Sequence, residues 1–167
     1  LKEAPGRLET IHGKDGKTIV IDYAHTPDAL ENVLKTLRKV CHDGQIVCVF
    51  GCGGDRDRTK RPEMAQIAEK YADSIIVTSD NSRTESTQAI IEEIRTGFSP
   101  AAASKVLRIA DRKEAMRAAM MFSKPGATIL LAGKGHENYQ IIGTEHRHFD
   151  EREVVAEVFK SMEGDAK

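Results

Sequence analysis

The stretch Ala127-Thr128-Ile129-Leu130-Leu131-Ala132 is a continuous apolar run that leads directly into Gly133-Lys134-Gly135-His136-Glu137. A short apolar run without polar alternation indicates a strand that is buried on both faces. Such strands are typical of parallel sheets, whose faces are covered by the helices that connect the strands. The stretch therefore predicts a central strand of an α/β domain, followed by a polar loop.

Outward from this strand, the chain alternates between strands and helices. Further strands are predicted at 18–21, 45–50, 74–78 and 105–109. Apolar residues at helical spacing predict helices at about 27–41, 62–71, 90–98 and 111–122. A hairpin around Gly143 and a helix after Asp150 close the pattern. The alternation predicts a Rossmann-like three-layer α/β domain with a mainly parallel sheet flanked by helices.

Two helix starts carry clear signals. Thr26 fits the N-cap position of the first helix, and Pro27 fits its first turn. Asp111 with Glu114 three residues later is a capping-box pattern. We expect helices to begin at both places.

Composition argues against several classes of function. In 167 residues, 25 Lys and Arg are balanced by 26 Asp and Glu, so no basic surface for nucleic acid is expected. No apolar run approaches the roughly 20 residues that cross a bilayer, and a signal-peptide pattern is lacking. We expect a cytoplasmic domain that acts on small molecules, without a nucleic-acid or membrane partner.

The cysteines and a histidine pair are weak candidates for a metal site. Cys48 and Cys52 have a loose zinc-ligand spacing, but no second pair follows at zinc-finger distance. A buried strand cysteine and a loop cysteine are the favoured interpretation. His146 and His148 lack a nearby third ligand and are expected on an exposed strand face, so we predict no metal site.

Four polar clusters follow predicted strands. They span residues 22–28, 51–57, 80–83 and 133–137. Loops at the carboxyl ends of parallel strands share one edge of the sheet, where ligands bind. Local roles are also open: 51–54 could be a tight turn, His25 could support its helix, and Asp22 could be a cap. Four clusters on one edge nevertheless favour a single cleft.

The motifs in these loops resemble those of the C-terminal domain of the Mur ligases. They are D-Y-A-H-T-P-D at 22–28, F-G-C-G-G-D-R-D at 50–57 with K-R-P at 60–62, D-N-x-R-T-E at 80–85, and A-G-K-G-H-E-x-Y-Q at 132–140. Their order and extent cover nearly the whole chain. Within the family, the pattern is most similar to ligases that add meso-diaminopimelate to UDP-N-acetylmuramoyl-L-alanyl-D-glutamate in peptidoglycan precursor synthesis.

The resemblance implies an ATP-dependent amide ligase. Such enzymes phosphorylate the carboxylate of the nucleotide-linked peptide, and an incoming amine then attacks the acyl phosphate. In the family, a central domain holds most of the ATP site and Mg²⁺, and an N-terminal domain holds the UDP group. We therefore expect residues 1–16 to be a linker and leading hairpin from the central domain, residues 17–167 to be the C-terminal domain, and the isolated domain to be inactive.

The resemblance also assigns residues to two ligands, with no catalytic or metal-binding residue on this chain. The residues expected to bind diaminopimelate are Arg56, Asp80, Asn81, Ser82, Arg83, Gly133 and Glu137. The two arginines should bind carboxylate, whereas Asn81, the Gly133 carbonyl and Glu137 should hold the ammonium end. Asp22, Tyr23 and His25 are expected at ATP when the domain closes. Ser82 departs from the family pattern, which has proline there.

Three alternatives remain at this level. A ligase that adds L-lysine resembles this pattern but lacks the arginine at position 83. A folylpolyglutamate synthase lacks the full G-K-G-H-E motif. A non-catalytic nucleotide-binding module could share the fold, but it would not need two arginines and a glutamate in its loops.

Overall fold

The computed structural model describes residues 7–165, and the predicted alternation is confirmed there. The strands are β1 Glu9–His12, β2 Thr18–Asp22, β3 Ile46–Phe50, β4 Ser74–Val77, β5 Val106–Arg108, β6 Thr128–Ala132, β7 Tyr139–Ile142 and β8 Glu145–His148. The helices are α1 Pro27–Cys41, α2 Lys60–Tyr71, α3 Thr87–Arg95, α4 Arg112–Phe122 and α5 Glu151–Asp165.

A six-stranded sheet organises the described part of the chain. Its order is β1-β2-β6-β3-β4-β5, and all neighbours are parallel except β1 and β2. The strand predicted to be central, β6, lies between β2 and β3, and its burial is complete along Thr128–Ala132. β7 and β8 form a separate antiparallel hairpin. The sheet and its two helix layers confirm the predicted fold class.

Apolar packing covers both faces of the sheet. Along β6, Leu130 packs with the layer of α1, α2 and α3, whereas Ile129 and Leu131 pack with α4 and α5. The strands β2, β3, β4 and β6 thus contribute alternate side chains to two cores. The loops after β2, β3 and β4 lead to the first layer, while the chain after β6 leads to the second. Where neighbouring strands send their connections to opposite faces of the sheet, a crevice opens at the carboxyl ends of the strands.

Both predicted helix starts are confirmed. The Thr26 hydroxyl accepts a hydrogen bond from the Ala29 amide, with Pro27 in the first turn of α1. The Asp111 carboxylate accepts from the Glu114 amide at 3.0 Å and caps α4. Each cap satisfies an amide that the helix itself leaves without a partner.

Two local features differ from the expectation or add to it. A 3-10 helix at Pro100–Lys105 precedes β5, which is only three residues long. β5 is an edge strand with Leu107 55% exposed, so it lacks the continuous apolar pattern of the central strands. β1 falls within the span expected to be linker and hairpin, and it pairs with β2 at the other edge.

Removing a core side chain of α1 tests the packing of the first helix layer. Leu34 is fully buried, so Leu34→Ala should lower the free energy of unfolding by about 2–5 kcal/mol. Urea denaturation of this chain measures the change. Val40→Ala on the same helix is the control, because Val40 is 74% exposed and its loss should cost less than about 0.5 kcal/mol. Equal losses for both variants would contradict the packing described here.

Candidate functional site

The loops after β2, β3, β4 and β6 enclose one cleft of about 420 Å³. All the predicted site residues line it except Asp22 and Ser82. The cleft is lined by Tyr23, His25, Thr26, Gly53, Arg56, Asp57, Lys60, Asp80, Asn81, Arg83, Gly133 and Glu137. The expectation of a single cleft at the carboxyl edge of the sheet is thereby met.

Asp22 lies behind the cleft and organises the loops around it. Its carboxylate accepts hydrogen bonds from the amides of Leu8 at 2.8 Å and Ala24 at 2.9 Å. Its carbonyl accepts from the Gly133 amide at 3.0 Å, which ties the β2 and β6 loops together. Asp22 therefore forms an Asx-type turn with Ala24 and caps no helix, since the N-cap of α1 is Thr26.

Ser82 is buried within a tightly bound loop. The flanking backbone is held on both sides: Gly54 donates to the Asn81 carbonyl at 2.8 Å, and Gly143 donates to the Arg83 carbonyl at 2.7 Å. A Cβ on Gly54 would lie 1.8 Å from the Ser82 carbonyl oxygen. The β3 loop can approach this closely only because position 54 has no side chain.

Two guanidinium groups reach the cleft from different loops. Arg83 has a positive φ of 52°, a conformation that costs a non-glycine residue about 1–3 kcal/mol. Backbone hydrogen bonds to β7 and its turn hold it there. Its Nη1 donates to the carbonyls of Gly54 at 3.0 Å and Asn81 at 3.3 Å, while Arg56 is exposed and donates to the Asp55 carbonyl.

Two acidic side chains and an amide that line the cleft surround a buried lysine. Lys134 Nζ lies 3.1 Å from Asp80 Oδ1 and 3.7 Å from Glu137 Oε1. Asp80 Oδ1 is buried, and apart from this ion pair it accepts no hydrogen bond from the described residues. The Tyr139 hydroxyl lies 3.5 Å from Glu137, whose charge raises the pKa of the tyrosine. The cluster can accept hydrogen bonds from a cationic ligand.

The orientation of the Asn81 amide differs from the expected role. Its Oδ1 accepts hydrogen bonds from Lys134 Nζ and the Ile141 amide, both at 3.0 Å. Two donors saturate this oxygen, and Nδ2, which donates to Glu137 Oε1 at the long distance of 3.5 Å, is the group that Asn81 can offer to a ligand. An N–H group binds carboxylate rather than ammonium, so the predicted ammonium-binding role of Asn81 does not fit this network.

An ion pair that was not predicted from the sequence connects the loop after β3, which carries Arg56, to the loop after β4, which carries Arg83. Arg61 is fully buried and donates to Glu85 at 2.7 Å and to the Gly53 carbonyl at 3.0 Å. Glu85 also accepts from the Asp55 amide. The hydrogen bond from Arg61 is the main cause that lowers the pKa of Glu85 to about 2. K-R-P and D-N-x-R-T-E contain both residues, but spacing alone did not indicate that they pair.

A second buried arginine fixes the ends of β4 and β6. Arg112 donates to the carbonyls of Ser79 and Ala132, both at 3.0 Å, and forms an ion pair with Glu151 at 3.0 Å. Ser79 and Ala132 directly precede Asp80 and Gly133. Arg112 therefore connects the helix layer of α4 and α5 to the base of the cleft.

The weak metal candidates lie elsewhere and have other environments. Cys48 lies in β3 and Cys52 in the following loop; both are buried, as the favoured interpretation predicted, and burial raises the pKa of each thiol to about 12. His146 and His148 lie on the exposed β8 strand, as expected, and His148 contacts Glu153 at 2.7 Å. Within residues 7–165, no three His, Cys, Asp or Glu side chains form a group suited to a metal.

Four further residues line the cleft, although the resemblance assigned none of them to a ligand: Thr26, Gly53, Asp57 and Lys60. Lys60 donates to the His25 carbonyl at 2.9 Å, and His25 Nδ1 lies 2.8 Å from the Tyr23 carbonyl. Lys60 is part of K-R-P, but only the fold shows that the start of α2 reaches the β2 loop.

Among the described residues, no helix has the length and apolar character required to cross a membrane.

The family model for the Mur ligase, glutamate ligase domain, matches residues 6–135. The chain belongs to this family. The matched region includes β1 to β6, the loops after β2, β3 and β4, and the start of the loop after β6. The resemblance inferred from the four motifs is therefore confirmed.

Curated relatives carry a more specific name. UDP-N-acetylmuramoyl-L-alanyl-D-glutamate–2,6-diaminopimelate ligase of Synechococcus elongatus is 55% identical over 150 residues, or 89% of this chain and 30% of the relative. The ligase of the same name from Bacillus cereus is 51% identical over 157 residues, or 94% of this chain and 31% of the relative. The chain thus spans about a third of the length of these relatives.

Solved structures agree with this similarity. A structure of a ligase with the same name has a TM-score of 0.89 and 42% identity, covering 98% of this chain and 33% of that one. A bifunctional folylpolyglutamate synthase/dihydrofolate synthase from Yersinia pestis has a TM-score of 0.61 at 18% identity, covering 80% of this chain and 29% of that one. The second likeness shows the shared fold alone.

The low pKa of Glu85 predicts an acid-sensitive contribution to stability. With a folded-state pKa near 2 against an ordinary value of 4.5, the Arg61 contact stabilises the fold fully above about pH 4.5 and is lost as the pH falls through about 2. Glu85→Gln should therefore be less stable than the parent chain at neutral pH. The difference should shrink as the pH falls from 4.5 towards 2 in urea unfolding series.

Glu157→Gln provides the matched control for that series. Glu157 forms a surface ion pair with Lys113 at 3.0 Å, and exposed pairs contribute little to stability. This variant should follow the parent chain across the same pH range. A Glu85→Gln difference that stays constant from neutral pH to about pH 2 would refute the assigned pKa.

Proposed function

We propose that this chain is the C-terminal domain of an ATP-dependent ligase that adds meso-diaminopimelate to UDP-N-acetylmuramoyl-L-alanyl-D-glutamate. In this proposal the domain binds the incoming amino acid and closes over ATP. The observation that carries it is the cleft, in which the guanidinium groups of Arg56 and Arg83 lie together with the carboxylates of Asp57, Asp80 and Glu137. The names of relatives near 50% identity support the same substrates.

The charges of the cleft suit an amino acid with two charged ends. Diaminopimelate carries an ammonium and a carboxylate at each end. Arg56, Arg83 and the Asn81 Nδ2 group can donate to the distal carboxylate, and a planar guanidinium fork matches carboxylate geometry well. Asp80, Glu137 and the Gly133 carbonyl can accept from the distal ammonium. Lysine lacks the distal carboxylate and would leave the arginines without their partner.

ATP would be contacted from the β2 side of the same cleft. Tyr23 and His25 line it, and their rings lie 4.7 Å apart, with His136 5.8 Å from Tyr23. Such rings offer flat surfaces against which a nucleotide base can pack. Asp22 supports this loop through its backbone contacts. We further propose that the central domain holds most of the ATP and Mg²⁺ sites and that residues 1–16 connect to it.

The reaction assigns a positioning role to this chain. The acceptor carboxylate becomes an acyl phosphate, the diaminopimelate amine attacks its carbonyl carbon, and phosphate leaves as the amide forms. Mg²⁺ would neutralise charge on the transferred phosphoryl group. The cleft would hold the amine donor in a fixed orientation, and closure would keep water from the acyl phosphate. We propose the cytoplasm as the location, where these nucleotide substrates would be used.

Substitution of Arg83 in the complete ligase tests the substrate. Arg83→Ala leaves a desolvated carboxylate without a partner, so kcat/KM for diaminopimelate should fall by the equivalent of about 2–5 kcal/mol. Steady-state assays with diaminopimelate and L-lysine measure the loss and the change in preference. Unchanged kcat/KM for diaminopimelate would defeat the assignment.

Arg117→Ala is the matched control for Arg83. Arg117 is a half-exposed arginine on α4, outside the cleft, with a surface contact to Glu114 at 3.7 Å. Its loss should leave both substrate preference and rate unchanged. Melting temperatures of both variants identify any loss of folding, since Arg83 also binds two backbone carbonyls.

The division of labour among domains gives a separate prediction. The isolated chain should fold cooperatively but hydrolyse no ATP and form no amide, because the phosphate site belongs to the proposed central domain. Circular dichroism melting and a phosphate-release assay test both parts. ATP turnover by the chain alone would show that the phosphate site has been assigned to the wrong domain.

A further inference from the structure

Lys134 is a fully buried lysine at the end of β6, and the mechanism proposed above does not use it. Its side chain is 0% exposed, so it cannot touch a ligand in the cleft. Its ammonium group contacts Asp80, Asn81 and Glu137, together with the Tyr139 carbonyl at 2.8 Å. The three contacted side chains all line the cleft.

We propose that Lys134 is the positioning residue that sets the polarity of the amino-acid site. It determines which face of the site offers a donor to carboxylate and which offers acceptors to ammonium. The inference rests on the proposed function, because it assumes that a two-headed amino acid binds here.

The first step concerns the Asn81 amide. Lys134 Nζ and the Ile141 amide both donate to Oδ1, so the amide is held with Nδ2 as its available donor. Without Lys134, one acceptor position on Oδ1 would be left unsatisfied beside two carboxylates. The Ile141 amide would then be the only strong hydrogen bond that holds the Asn81 side chain, so Nδ2 would be less firmly oriented towards a ligand carboxylate.

The second step concerns charge. Asp80 and Glu137 are two carboxylates in a confined region, and Lys134 offsets one of their two negative charges. One ligand ammonium then suffices to neutralise the cluster. Removal of Lys134 would leave two partly buried carboxylates to repel each other, and such groups would be displaced from their present geometry.

Another buried lysine shows what a purely structural role looks like. Lys17 is 6% exposed and donates to the Met120 carbonyl at 2.6 Å, and it does not line the cleft. Lys17 and Lys134 are thus matched in burial and in a backbone contact. They differ in whether they contact the side chains of the cleft.

The test uses two substitutions in the complete ligase. Lys134→Met removes the charge and the hydrogen bond, so the KM for diaminopimelate should rise roughly 10- to 100-fold, with the KM values for ATP and the UDP-linked acceptor unchanged. Lys134→Gln restores an N–H donor for Asn81 without the charge, and it should recover part of the loss. If Lys134→Met does not fold, Lys134→Gln serves as the test, and its KM for diaminopimelate should still rise while the other two KM values stay unchanged.

Lys17→Met is the control, and it should lower the melting temperature without changing any KM. The inference is overturned if the Lys134 variants lose melting temperature only, or if all three KM values rise together. If the parent ligase uses diaminopimelate and the Lys134 variants have the same KM for diaminopimelate as the parent, Lys134 has no positioning role and the proposed function stands. If the parent ligase rejects diaminopimelate, both the proposed function and this inference fall.

Discussion

The shared direction of β2, β3, β4 and β6 is the constraint on which the rest of the structure depends. Their register places Asp22 beside Ala132 and Phe50 beside Val77, so the following loops leave the sheet at one edge. Side chains buried on both faces hold this register, since each strand contributes to two cores. Residues far apart in sequence therefore meet in one cleft.

Buried cationic side chains hold the loops at this edge of the sheet in fixed positions. Arg112, Arg61 and Lys134 are almost completely buried, and each donates to an oxygen of a loop around the cleft: the Ser79 carbonyl, the Gly53 carbonyl and Asn81 Oδ1, respectively. A buried charge is costly unless it is paired, and a carbonyl that loses its donor is costly as well. The loop geometry is thus maintained by interactions that reach both helix layers, beyond the loops themselves.

The fold and the identity of the ligand are separate properties. The folylpolyglutamate synthase/dihydrofolate synthase shares the fold at 18% identity, and a fold by itself does not determine which ligand binds. Selection would have to come from groups such as Arg83 and Glu137 and from the direction in which Asn81 presents its amide. A buried residue such as Lys134 can influence that choice without contacting the ligand.

The sequence by itself determined the α/β class, the boundaries of the central strands, the helix caps at Thr26 and Asp111, and most of the cleft residues. These features follow from local periodicity, short-range capping and the rule that parallel strands end at one edge. Only the tertiary structure decided that β6 lies between β2 and β3, that Arg61 pairs with Glu85, and that Lys134 donates to Asn81. Arg61 and Glu85 lie 24 residues apart, and Lys134 and Asn81 lie 53 apart, so no local pattern specifies which buried donor meets which acceptor.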